Sequence, residues 1–277
     1  MNGAILTLNE GPWQAEARPE QGGRLARLVY DGQSLLVPMG QGEFDPVNWS
    51  KAGAYPLIPF HNRVPGAQFT WRGRDVRLPV HPSSVPNALH GHGSRMVWQG
   101  KASKAELRMT FENSVAAYWP WRFRALQSYR FFRNRMELDL EITNLDDAAM
   151  PAGLGWHPYF QGGTRLSDDA SHGWHVGSDR LSQGKRVTRD AVSGETLYLT
   201  GWTTVFAAVP SGLNLRITAS KALQHLVIYA PDGAGFACAE PVSHPVAAMA
   251  AGPGGGMHEL PPGASLAARI TLAVETM

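Results

Sequence analysis

The chain has 277 residues, 43% of them hydrophobic and 17% charged, and carries a formal net charge of +2. This balance excludes global disorder, and with no run of five or six Lys/Arg it excludes nucleic acid as a main partner. The single Cys238 allows neither an intramolecular disulfide nor a Cys-rich zinc site; with no signal peptide and no 18-residue uncharged apolar stretch, a cytoplasmic protein without a membrane partner is expected.

Thirty Gly and twenty Pro, without a low-complexity period, predict short strands joined by many turns. Alternation of apolar and polar residues predicts strands over 4–8, 24–30 and 33–38, with Asp31-Gly32 as the turn between the last two. A short apolar run, 55–59, is closed by Phe60-His61-Asn62-Arg63. After a turn at 64–67 come a strand over 68–71, the tight turn Arg72-Gly73-Arg74 and a strand over 76–80. The segment 87–93, Asn-Ala-Leu-His-Gly-His-Gly, reads as a loop whose glycines let the backbone crowd a ligand.

Strands follow over 107–111, 123–131 and 135–143, the last strongly alternating, and 144–147 is a turn. The stretch 151–160, Pro-Ala-Gly-Leu-Gly-Trp-His-Pro-Tyr-Phe, places one imidazole, His157, between large aromatics on a restricted backbone. Residues 161–177 read as a long excursion rich in Gly, Ser, His and Asp. Strands over 197–200, 204–209, 214–217 and 224–229 come next, then a turn at 231–233 and an apolar rise over 236–239 into Glu240. A flexible Gly-rich loop, 252–256, precedes a closing strand over 265–274. No internal repeat, helical period or linker is evident. The fold class is all-β: one large antiparallel β-sandwich domain over 1–277.

Four stretches embed polar groups among Gly, Pro and aromatics: Asn62-Arg63, 87–90, 157–159 and 240–242. Scattered positions of this kind suit side chains converging from separate strands. Glu240, ending an apolar run, is a carboxylate whose desolvation would raise its pKa and make it a general base. The structural alternatives are a hydrogen-bonded core histidine at 157 and a strand-end ion pair at 240.

In these motifs the sequence resembles the aldose 1-epimerase family, the mutarotases: Asn-Arg early, Asn-x-Leu-His-Gly next, His-x-Tyr-Phe in the middle, Glu-Pro late, and Leu260-Pro261-Pro262-Gly263 before the last strand. The resemblance implies the galactose mutarotase-like supersandwich and a small-molecule sugar substrate. It implies Glu240 as base, His157 as acid, and Arg63 and His90 as sugar-binding supports. Asn62 belongs to the Asn-Arg pair, and Trp156 and Tyr159 offer aromatic faces to the sugar's C–H side. Exchanging α and β anomers needs one base at the C1 hydroxyl and one acid at the ring oxygen, so no metal or other cofactor is called for.

Two departures mark a divergent branch. Trp156 and Pro158 flank the central His where galactose mutarotases more often show Asn and Ser. The acidic residue that family members usually carry between the central His and the base has no counterpart in 197–202, with Asp179, Asp190 and Glu195 only nearby. Three rival readings have their own sequence features. His90-Gly91-His92 has the spacing of a metal-binding cupin-like barrel, which would want further ligands that Arg95 and Met96 do not supply. A non-catalytic carbohydrate-binding or regulatory module could keep the sandwich alone. A hexose 6-phosphate epimerase would need an Arg cluster, for which Arg72, Arg74 and Arg77 are available.

Overall fold

The computed structural model describes residues 4–48, 51–114 and 117–275. Strands dominate, and the helical segments among the described residues are 3₁₀ turns of three or four residues, such as Pro82–Ser84 and Ala248–Ala251. Among the described residues, no helix is long and apolar enough to cross a membrane.

One face of the sandwich is an eight-stranded antiparallel sheet in the order Gln99–Ala102, Glu106–Asn113, Phe123–Phe132, Arg135–Asn144, Ser265–Glu275, Asn214–Ala219, Val205–Ala208, Arg165–Asp168. Its two central strands show why it forms. Met136, Leu138, Leu140 and Ile142 are all buried, and in register they meet Leu272, Ile270, Ala268 and Leu266 of the neighbouring strand. Burying each such Leu or Ile contributes roughly 1.5–3 kcal/mol. Between them Glu137 and Asp139 face outward and pair with Arg130 and Arg269, so one face is dry and the other charged.

Two six-stranded sheets cover the dry side. The first runs Leu6–Glu10, Trp13–Arg18, Arg24–Tyr30, Ala54–Pro56, Trp156–Pro158, with Gln33–Ser34 pairing the same edge of Arg24–Tyr30 as Ala54–Pro56 does. The second runs Phe160–Gln161, Phe236–Val242, His225–Tyr229, Thr196–Thr200, His172–Val176, Ser182–Thr188. The chain passes from one to the other between Pro158 and Phe160, and bridges at Leu36–Phe160 and Gly155–Val242 close the seam. Trp13, Leu28, Leu138, Ile270, Leu199 and Leu226, drawn from all three sheets, belong to one buried cluster. The all-β sandwich expected from the alternation is the fold observed.

The differences have physical causes. The excursion expected over 161–177 carries two strands, Arg165–Asp168 and His172–Val176, and Ser182–Thr188 was not anticipated. Two of these are edge strands, wet or half-wet along their length, so no hydrophobic period marks them. The strand expected over 33–38 shortens to Gln33–Ser34, that over 76–80 ends early as Arg74–Arg77, and the apolar run 55–59 is a strand only over Ala54–Pro56. Pro38, Pro59 and Pro79 lack the N–H that a ladder needs.

Candidate active site

The seam between the two six-stranded sheets carries the site. Phe236–Val242 is buried from Ala237 onward, so both its faces are covered. Strand alternation sends Ala239 into the main core and Cys238 and Val242 to the opposite face, into a second cluster with Tyr55, Tyr159, Tyr198 and Val227. Glu240, two residues from each, shares that second face. It lies opposite Val227, which lies opposite Tyr198, so three adjacent strands present these side chains side by side.

His157 arrives from the other sheet. Its strand pairs with Ala54–Pro56, placing it opposite Tyr55, with ring centroids 4.7 Å apart, and the Tyr159 ring stacks on it at 4.6 Å. The same alternation corrects the expectation for Trp156. Its ring points the opposite way from His157, fully buried in the main core, and it does not line the cavity. His157 Nε2 stands 3.4 Å from Glu240 Oε1. The two groups are direct neighbours, so a ligand has to sit against both on the same side.

Asn62, Arg63 and His90 complete the cluster. Asn62 and His90 both adopt left-handed backbone, φ 50° and 58°, which places these residue types among the more tolerant non-glycines. The Asn62 N–H donates to His90 Nδ1 at 3.1 Å, and the His90 N–H donates to the Asn62 carbonyl at 3.0 Å. Because Nδ1 accepts, the neutral ring carries its proton on Nε2. Gly91, also left-handed, packs where a Cβ would lie 2.4 Å from the Ile58 carbonyl oxygen, so the loop holding His90 needs glycine there. The Arg63 guanidinium is aimed by two bonds, Nε to Ser84 Oγ at 3.0 Å and Nη1 to Asn62 Oδ1 at 3.1 Å.

These side chains open on one cavity of about 240 Å³, which Asn62, Arg63, His90, His157, Tyr159 and Glu240 all line. That is somewhat below the roughly 300–1,000 Å³ of sites for drug-sized ligands, a scale that suits a monosaccharide. Residues that the sequence reading did not single out stand beside them: Lys51, Arg180, Thr196, Tyr198 and Tyr229. Tyr198 occupies the segment in which a carboxylate was sought. The alternation of 197–200 was a signal for it; Lys51 and Arg180 come from connecting segments that carry no local signal.

Burial sets the protonation states. It pushes the Glu240 carboxyl up to about 8, against a weaker downward pull from Arg63 and Lys51. Burial likewise drives His157 well below its ordinary value, with Lys51 and Arg24 adding to it, and drives His90 down with help from His157 and Arg63. At neutral pH the pair therefore rests as a carboxylic acid beside a neutral imidazole, not as the carboxylate and imidazolium that simple roles would require. Glu240 Oε2 and His157 Nδ1, both buried, have no hydrogen-bond partner among the described residues.

Two rival readings lose their geometry. His92 turns away from His90, its Nε2 2.9 Å from Asn113 Oδ1 among Phe111, Tyr118 and Phe123, so the H-x-H pair does not converge on an ion. Arg72 pairs with Glu259 and Arg74 lies over Trp121; neither lines the cavity, and Arg77 does not either. His157, Cys238 and Glu240 do present one ligand atom each within 4.8 Å of one another. Burial, the largest cause, raises the Cys238 thiol well above its usual range, which makes it a poor thiolate ligand.

The antiparallel sandwich built from these sheets is the fold of galactose mutarotase-like proteins. The aldose 1-epimerase family model matches residues 16–273, and the chain belongs to that family. A crystal structure of an Escherichia coli K12 protein, provisionally assigned as an aldose 1-epimerase, superposes with a TM-score of 0.86 at 26% identity, covering 99% of each chain. The aldose epimerase homologue from C. elegans superposes at 0.82 with 15% identity, again over 99% of each, a likeness of fold. The uncharacterized Escherichia coli K12 protein YphB is 32% identical over 173 residues, 61% of this chain and 57% of its own length. The matched part thus spans little more than half of that relative.

Proposed function

We propose that residues 1–277 act as an aldose 1-epimerase, a mutarotase that interconverts the α and β anomers of a sugar by opening and reclosing its ring. The observation that carries this reading is the buried pair His157–Glu240, 3.4 Å apart and facing the cavity that Arg63 and His90 also line.

The chemistry asks for such a pair. The C1 hydroxyl and the ring oxygen are bonded to the same carbon, so the group that removes one proton and the group that supplies the other must be neighbours. Glu240 as carboxylate takes the C1 hydroxyl proton, and the O–H electron pair becomes the carbonyl π bond. The C1–ring oxygen bond breaks, and that oxygen takes the proton from His157. The open-chain aldehyde turns about C1–C2 and closes by the reverse steps on its other face. The pair begins and ends with one proton between its members. The resting acid–imidazole form and the working carboxylate–imidazolium form differ only by transfer across the 3.4 Å contact.

Arg63 and the Nε2–H of His90 hold hydroxyls and favour the charge that develops on oxygen, while the Tyr159 ring offers an apolar face. Positioned acid and base each contribute about 10²- to 10⁴-fold. Saturation-exchange NMR on a panel of aldoses tests the reading: exchange between anomer signals should exceed the uncatalysed rate. A folded protein that exchanges no aldose, yet binds sugars, would favour the non-catalytic module. Activity that disappears on chelation and returns with a divalent metal would instead favour a metal enzyme.

A further inference from the structure

Three cationic side chains, Lys51, Arg63 and Arg180, line the cavity, and Glu240 is the one carboxyl among its described lining residues. That carboxyl rests protonated at neutral pH because of its burial. Among the described lining residues, cationic groups thus outnumber carboxyls three to one. Arg63 is aimed by Ser84 and Asn62. Arg180 is held too: its N–H donates to the Gly177 carbonyl at 2.8 Å, its carbonyl accepts the Tyr198 hydroxyl at 2.8 Å, and its guanidinium lies 5.9 Å over the Tyr229 ring. Its backbone is left-handed, φ 58°, uncommon for a residue that is not glycine. Tyr198 and Tyr229, both cavity residues, thus hold the main chain and side chain of the exposed Arg180 beside the cavity. Lys51 and Arg63 both have their pKa lowered, by burial first and by Arg180 repulsion further down the order of causes, so the three charges feel one another.

A neutral sugar offers only hydroxyls to such a wall, and would leave much of that repulsion in place. An anion relieves it, and a guanidinium fork beside an ammonium binds carboxylate or phosphate oxygens by charge-assisted hydrogen bonds. We propose that the sugar this cavity takes carries an anionic substituent, a carboxylate or a phosphate, held by Lys51 and Arg180 while the ring lies against Glu240 and His157. This deepens the mutarotase reading and rests on it for the placement of the ring. The feature that carries it, a cation-lined cavity, differs from the Arg72, Arg74, Arg77 hairpin, which faces elsewhere.

The test is anomer exchange by NMR with D-glucose and D-galactose, their uronic acids and their 6-phosphates, at low and high salt. The expected result is a kcat/KM for at least one acidic class about tenfold or more above its neutral parent, shrinking as salt screens the charges. Which class wins, uronate or phosphate, identifies the anion. Lys51→Gln and Arg180→Gln should each lower the ratio of acidic to neutral kcat/KM by about tenfold. Equal kcat/KM for neutral and acidic sugars, or variants that leave the ratio unchanged, overturns the inference while the mutarotase reading stands. If no sugar is exchanged, that reading falls, and calorimetric binding of the same panel decides the anion separately: acidic sugars bound no more tightly than their parents overturn it.

Discussion

Replacing Glu240 by Gln should make the protein both inactive and more stable. The native carboxyl titrates at about 8, against 4.5 for an ordinary one, with burial the principal cause. A raised native pKa means that Glu240 leaves stability undiminished below about pH 4.5, where it is protonated folded or unfolded. Stability is then lost progressively as pH rises through 4.5 to 8, because the unfolded chain ionises first. At 1.36 kcal/mol per pH decade the full loss is about 5 kcal/mol, of which about 3 is already present at pH 7. Gln preserves the shape and cannot ionise, so the variant should escape that loss. Urea unfolding of both proteins at pH 4, 5.5, 7 and 8 measures it: the gap in unfolding free energy should open from near zero at pH 4 to several kcal/mol at pH 8. Turnover should meanwhile fall by about 10² or more. A variant no more stable than wild type at pH 8, or more stable by the same amount at pH 4, refutes the reasoning.

The remaining expectations address the proposed roles. His157→Asn should lower turnover by about 10² or more, measured as anomer exchange with folding checked by thermal melts. Arg63→Ala should raise KM at least as much as it lowers kcat, because its hydrogen bonds hold substrate in ground and transition states alike. The profile of kcat/KM against pH should be flat where the pair holds one proton, fall as pH rises through about 8, and fall on the acid side only below 6.5. A rate that instead climbs through pH 8 would mean that Glu240 works without a protonated His157. Trp156→Phe should lower stability by roughly 1–3 kcal/mol while leaving KM within about twofold, since its ring belongs to the core.

What could be read from the sequence follows the wetness of each strand. Arg135–Asn144 has one dry and one charged face, so its period of two was plain. Ser182–Thr188 touches water along most of its length and carries no such mark. Glu240, His157, Arg63, Asn62, His90 and Tyr159 were all legible as polar or aromatic groups in confined segments, and all reach the cavity. Trp156 was not separable from His157 by the same signal. Two neighbouring residues on a strand face opposite ways, and sequence alone does not say which of them faces the ligand. Lys51 and Arg180 come from connecting segments, where position depends on the rest of the fold. The contact distance of His157 and Glu240 was out of reach for another reason: the two residues belong to different sheets, 83 positions apart, and only the seam sets it.

That seam gives the His157–Glu240 pair a mechanical character. His157 rides on the sheet that includes Leu6–Glu10, and Glu240 rides on the one that includes His225–Tyr229. Sliding one sheet along the other changes the separation of the two groups and strains the bridges at Leu36–Phe160 and Gly155–Val242, while the ladders inside each sheet stay intact. A misplacement of about 1 Å, negligible to the backbone ladders, is enough to cost about 100-fold in rate. Mild heating or dilute urea should therefore silence the protein while its far-ultraviolet spectrum still reads as native, with the seam as the part that yields.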